Sequence, residues 1–371
     1  MNAGGIDTPL LDAAIQRILG RGDMATSAVL VADSPAGVVE RAYGTRHDDR
    51  PAGLTDLHDL YCATKPAFAV TLLSLMQEGR LALDDRVDKY LQWTAGHWIG
   101  ALTVEDLLTH NNNMHRVGAI VPVIAEPTLR GQVLKQLPEE PLEGTRGYSD
   151  FGGWFLLAHI AEVATGQDYR DLNLAYVNER YDIPERELNL GIPPELFDEW
   201  LPDISINLYS RGETARHPLA AEGASIWACD WNAPNSGYGS ARGLVAFYKA
   251  LLADVRGAGR ALQPDVAQRA VTPGDTFDDQ RLQHPASYGL GLMVNMPLFR
   301  LGPAPSPSSF GHVGVGGGAL GFVDPEHDLV VAIVFNVVFD EAPDLLVERG
   351  NAISALYADL GLRELDPESA Q

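Results

Sequence analysis

The chain has 371 residues, with 50 Asp plus Glu against 27 Lys plus Arg and a formal charge of −23 at neutral pH. That acidic excess repels phosphates and anionic headgroups, which argues against non-specific nucleic-acid or membrane binding; 46% apolar residues suffice for a large core. Two cysteines, Cys62 and Cys229, are too few for a disulfide scaffold or a four-thiolate zinc site.

Met1 to Gly5 leads into a mixed stretch with Asp7, Asp12 and Arg17, not a basic end followed by an apolar run, so the cytoplasm is the expected location. No apolar stretch approaches the ~18 residues needed to cross a bilayer. Apolar spacing predicts a helix over Leu10 to Ile18, then strands over Ser27 to Ala32 and Val38 to Tyr43. Asp33-Ser34-Pro35-Ala36-Gly37 between them has hairpin chemistry. Ala67 to Met76 is apolar almost all round, which predicts a central buried helix. Pro66 fits only in a first turn, so that helix should start near Tyr61 or Cys62.

Helical patterns follow at Val104 to Leu108, Trp154 to Ala164 and Leu244 to Leu252, separated by long Pro-, Asn- and Gly-containing connections. Strand patterns return at Tyr288 to Val294, Ala319 to Val323 and Leu329 to Phe335, and a helix over Ala342 to Leu360 closes the chain. Strands at both ends with helices between predict an α+β fold whose terminal strands share one sheet. The expected division is a discontinuous α/β domain of residues 1–85 and 286–371, and a mainly helical domain of residues 86–285 lining the cleft.

Only four lysines occur, and Lys65 lies in Tyr61-Cys62-Ala63-Thr64-Lys65-Pro66 at the head of the buried helix. Positions i and i+3 share a helix face, so the Cys62 thiol and the Lys65 amine are expected in hydrogen-bond reach. For an arbitrary Cys-x-x-Lys, a packed cysteine and a surface lysine is the commoner outcome. Other signals are weaker. Gly316 to Gly321 matches a dinucleotide glycine pattern by letter, but a strand rather than a helix is expected after it. His47-Asp48-Asp49 reads as a solvated loop, and with no His-Glu-x-x-His and no Cys-x-x-Cys neither a metal nor a cofactor is implied. No Gly-x-Ser-x-Gly elbow occurs, which argues against an α/β-hydrolase. Cys229 reads as a packing residue.

With Cys62-Ala63-Thr64-Lys65, Tyr148-Ser149-Asp150 and His312-Val313-Gly314 in this order, the chain resembles the penicillin-binding-protein and class C β-lactamase superfamily, including its esterases and transacylases. Leu107-Leu108-Thr109-His110, Tyr288-Gly289-Leu290-Gly291 and the Asp324-Pro325 turn agree, so the resemblance runs from about Leu10 to Leu360. It implies an antiparallel sheet flanked by helices plus a mostly helical domain, and acyl transfer through a covalent intermediate. Three departures stand out. Cys62 occupies the place of the nucleophilic serine, Asp150 that of an asparagine, and Asn111-Asn112-Asn113 that of Thr-Ser-Gly.

By this resemblance Cys62 is the nucleophile, Lys65 and Tyr148 move protons, and the backbone N–H groups of Cys62 and Val315 form the oxyanion hole. His312 and Gly314 line the substrate pocket, where His312 meets a polar or carboxylate group; its bland alternative is a strand-end histidine in a solvated groove. Asp150 either faces Lys65 and the substrate or caps the helix after it. A thiol beside an ammonium is more easily ionised than a serine, and a thioester is open to amines, so the expected substrate is a small ester, thioester or amide, with an amine or alcohol acceptor in a transfer. A missing third-motif lysine makes β-lactams the weaker guess. Trp227, Trp231 and Tyr238 hint at an apolar acyl or aryl group. Three other readings stay open: a serine-type esterase or β-lactamase-like hydrolase carrying an introduced Ser-to-Cys change, a non-catalytic binding protein on the same fold, and proton transfer without acylation.

Overall fold

The computed structural model describes residues 6–21, 25–115, 140–141, 145–205, 208–209, 229, 237–314, 318–338 and 343–364. Its main elements are α1 (Pro9–Gly20), β1 (Ser27–Ser34), β2 (Gly37–Gly44), α2 (Lys65–Gln77), α3 (Val104–Leu108), α4 (Gly152–Thr165) and α5 (Ala241–Val255). There follow β3 (Met293–Val294), β4 (Phe310–Val313), β5 (Ala319–Asp324), β6 (Leu329–Phe335) and α6 (Pro343–Asp359). The six strands form one sheet in the order β2-β1-β6-β5-β4-β3, and every pairing is antiparallel. Strands from both ends of the chain thus share it, with Ala28 opposite Phe335.

Alternation along these strands supplies two cores, because successive side chains leave opposite faces. Val29 and Val31 of β1, with Val330, Ala332 and Val334 of β6, face α2 and α5. Ala28, Leu30 and Ala32, with Val331, Ile333 and Phe335, face α1 and α6. Helix α1 buries Leu11, Ala14, Ile15 and Ile18, the stripe its spacing predicts, and each such Leu or Ile contributes about 1.5–3 kcal/mol. Its first-turn N–H groups at Leu10 and Leu11 donate to the Asp359 carboxylate of α6 at 3.3 and 2.8 Å, which fixes the two terminal helices together. Helix α2 is buried from Lys65 to Leu75.

The β1–β2 turn closes where expected, with Gly37 at φ +128° and the Ser34 hydroxyl donating to its carbonyl. Gly318 leads directly into β5, so the glycine run is followed by a strand. One expected strand is shorter than its pattern. Of Tyr288 to Val294 only Met293 and Val294 are strand, and Tyr288 makes an isolated bridge to Met293. Gly291 turns the chain at φ +79°, and the amides of Leu290 and Gly291 donate to the carbonyls of Ala270 and Leu108. Backbone satisfaction there comes from helix ends, which apolar periodicity does not encode. No described helix is long and apolar enough to cross a membrane.

Candidate active site

Cys62 sits in a strained turn at the head of α2. Tyr61, just before it, has φ +46°, a region where a bulky residue costs about 1–3 kcal/mol, and a 3₁₀ turn over Tyr61–Thr64 then feeds the helix. The turn is held from three sides. The Tyr61 amide donates to Asp59 Oδ1 at 3.1 Å, the Thr64 hydroxyl to the Tyr61 carbonyl at 2.8 Å, and the Leu60 amide to the Gly237 carbonyl at 2.8 Å. Asp59 also accepts from the hydroxyl of Tyr238, which is fully buried.

Lys65 lies one turn later with no exposed surface, its Nζ 3.0 Å from Cys62 Sγ. The ammonium also stands 5.4 Å from the Tyr148 ring centroid and 5.6 Å from that of Trp154, two aromatic faces that stabilise a desolvated cation. Tyr148 arrives from the segment ahead of α4 and is 3% exposed. Burial raises its pKa well above the usual phenol value, and the neighbouring Cys62 sulfur and Asp150 carboxylate add to this, so the hydroxyl stays protonated.

His312, on β4, reaches Tyr148 from the sheet side. Its Nδ1 faces the Val313 carbonyl at 2.8 Å and must carry the proton, which leaves Nε2, 3.4 Å from the Tyr148 hydroxyl, as an acceptor. Burial, helped by the Lys65 charge, pushes its pKa down to about 3, so the ring is neutral. At 1% exposure it is no histidine of a solvated groove.

Two neighbours of Tyr148 are not among the expected site residues, although His110 lies in a segment that agrees with the family resemblance. His110 holds φ +57° at the end of α3, accepts the Ser149 amide on Nδ1 at 2.9 Å, and lies 4.6 Å from the Tyr148 and Tyr288 ring centroids. Burial, with Lys65 next, holds its pKa well below the usual histidine value. Asp279, on the strand Phe277–Asp279, accepts the Tyr148 amide and the Tyr288 hydroxyl on Oδ2, both at 2.8 Å. A fold contact 131 residues apart leaves no local pattern.

The remaining candidates divide. Asp150 does not cap α4: the N-cap is Phe151, without a side-chain bond, and the Ser149 hydroxyl instead accepts the Gly153 amide at 3.0 Å. A serine one residue earlier reaches the helix N–H, while Asp150 turns to Arg281 Nε at 2.8 Å. Gly314 packs so closely that a Cβ would lie 2.8 Å from the Leu60 carbonyl, and its amide donates to Ala319. Val315, Trp227 and Trp231 lie outside the described residues. The three asparagines close α3: Asn111 and Asn112 donate to Asp106 and to the last helix carbonyls, and Asn113 takes φ +55°, which asparagine tolerates. Asp48 is engaged by Arg50 and Arg46, and Cys229 packs against a small cluster around Phe197 and Trp200.

A family model described as Beta-lactamase matches residues 11–353. Penicillin-binding protein 4* of Bacillus subtilis (strain 168) is 28% identical over 145 residues, 35% of this chain and 30% of that protein, so the match spans under a third of that relative. Among solved structures, a penicillin-binding protein homologue from Caulobacter crescentus superposes with TM-score 0.72 at 22% identity, covering 97% of this chain and all of that one. EstCE1, a hydrolase with promiscuous acyltransferase activity, gives TM-score 0.72 at 18% identity over 93% of this chain and 97% of its own. At such identities these structures show a shared fold. With the family model matched from Leu11 to Ile353, the chain belongs to the beta-lactamase family.

Proposed function

We propose that the protein is an acyl-transfer enzyme that carries its acyl group as a thioester on Cys62. The observation that carries this reading is the buried pair of Cys62 Sγ and Lys65 Nζ at 3.0 Å, with the Tyr148 phenol beside the same sulfur. In acylation Sγ, as the thiolate of a thiolate–ammonium pair with Lys65, attacks the carbonyl of an ester, thioester or amide, and the carbonyl oxygen becomes an oxyanion held by backbone N–H groups, those of Cys62 and Val315 by the family resemblance. Collapse breaks the bond to the leaving group, which takes a proton from Tyr148 or Lys65. An amine, alcohol or water then attacks the thioester and gives its proton to whichever of Lys65 and Tyr148 had lost one, while Cys62 leaves as the thiolate, which restores the starting pair.

Two features support a neutral acyl donor. His312 is uncharged and presents an acceptor nitrogen, so a carboxylate finds neither charge nor donor there. Arg281, the cation beside Asp150, is already paired with it. Thioesters yield readily to amines, so transfer is favoured, with hydrolysis as the competing outcome. Intact-protein mass spectrometry after exposure to aryl esters and thioesters tests this: the expected result is one acyl adduct mapped to Cys62 and absent in Cys62→Ala. Full turnover in Cys62→Ala would sink the reading.

A further inference from the structure

We infer that Asp279 is the positioning residue for Tyr148, holding its main chain and its back wall so that the phenol meets Cys62 and His312. The inference rests on Cys62 and Tyr148 being the reacting pair. Asp279 is 1% exposed and its two carboxylate oxygens collect four donors. Oδ2 takes the Tyr148 amide and the Tyr288 hydroxyl at 2.8 Å each, and Oδ1 takes the amides of Arg281 and Leu282 at 2.8 and 2.9 Å. The Tyr288 ring so fixed stacks on Tyr148 at 6.1 Å between centroids and packs against His110 at 4.6 Å.

The hairpin carrying Asp279 lies directly along the Tyr148 segment. The Gln280 amide donates to the Arg146 carbonyl at 3.0 Å, and a Cβ on Gly147 would stand 3.0 Å from the Arg281 nitrogen. Glycine at 147 is what allows this approach, and the approach brings the carboxylate under the Tyr148 amide. Four donors on two oxygens also define why a carboxylate is needed. An asparagine turns an N–H₂ group towards two of them, whichever way it is flipped.

The test uses the full chain and the alkylation rate of Cys62 by iodoacetamide, read on the Cys62 peptide by mass spectrometry. It compares wild type, Tyr148→Phe, Asp279→Asn and the double variant. Loss of the phenol beside the sulfur changes the rate. Asp279→Asn should change it in the same direction by about threefold or more, and the double variant should match Tyr148→Phe, because the two substitutions remove one effect. Asp279→Asn at the wild-type rate, or an effect that persists undiminished in the Tyr148→Phe background, overturns the inference. Asp324→Asn, equally buried but remote from the thiol, is the control expected at the wild-type rate. Should Asp279→Asn not fold, hydrogen exchange of the wild-type Tyr148 amide decides: protection comparable to β6 is expected, and exchange at the rate of an exposed loop overturns the inference. Failure of the acyl-transfer reading appears elsewhere, as wild-type protein that forms no thioester, and leaves both measurements standing.

Discussion

Asp279, under the Tyr148 amide, and Asp324, at the far end of β5, are built alike and placed differently. Both are buried, and both accept a tyrosine hydroxyl together with a cluster of N–H and O–H donors. Asp324 takes the Ser306 amide and hydroxyl at 2.9 and 2.5 Å, the Tyr357 hydroxyl at 2.6 Å and His327 Nδ1 at 2.9 Å. It thereby joins the segment before β4 to α6. Asp279 joins a hairpin to the backbone of a proton-transfer residue. The same chemistry therefore anchors the fold in one region and the site in the other, and what separates them is whether the held group reaches the sulfur.

Substitutions at the two carboxylates and at the residues they serve should separate activity from stability. Cys62→Ala removes the nucleophile and should lower turnover about 10³-fold or more while leaving the melting temperature nearly unchanged. Tyr148→Phe removes a proton donor, for an expected loss of about 10²–10⁴ in turnover. Asp279→Asn should cost about tenfold in turnover per folded molecule, the scale of misplacing a catalytic group, whereas Asp324→Asn should lose about 1–3 kcal/mol of stability with turnover unchanged. Steady-state kinetics paired with urea unfolding reads both quantities. A pair of variants that lose activity and stability in the same proportion would show that the two hubs do the same job.

Acid should weaken the two regions at different pH. His58 and His312 have pKa values pushed down to about 3 by burial, and His110 falls in the same direction. Between about pH 6.5 and 3 the unfolded chain binds protons that the folded one refuses, so stability falls as pH drops through that window, by about 2 kcal/mol each for His58 and His312 at pH 5, with His110 adding in the same direction. Asp324 acts lower. Hydrogen bonds from Ser306 and Tyr357 outweigh burial and hold its pKa below the usual value, so its contribution is present above about pH 3.8 and fades beneath it. Urea midpoints at pH 7.5, 5 and 3 should fall in two stages, the Asp324 share being lost only in the second, read in high salt so that relief of the −23 charge does not mask them. The smallest effect expected is from Arg281→Ala. Its exposed pairing with Asp150 is worth about 0–1 kcal/mol, so unfolding should shift little.

Much of this architecture is legible one element at a time. The stripe of α1, the alternation in β1 and β6 and the all-round burial of α2 follow from periods of 3.6 and 2, and Pro66 places the start of the buried helix in the turn at Cys62. Pattern fails where backbone groups find partners far along the chain. Tyr288 to Leu292 looks like the start of a strand yet its Leu290 and Gly291 amides hydrogen-bond to two helix ends, and Asp150 looks like a cap yet Ser149 does that work.

The chain pattern alone puts Cys62 and Lys65 on one face, because three residues along a helical turn bring two side chains together; the 3.0 Å contact also needs Lys65 to be buried instead of turned to water. Tertiary structure alone decided the rest of the site. Tyr148, Asp279, Tyr288 and His312 come from separate segments and meet only when the sheet and the helical region close over α2. It also decided their charge. Removal from water keeps His312 neutral and Tyr148 protonated, and burial is a property of the packed molecule rather than of any residue in it.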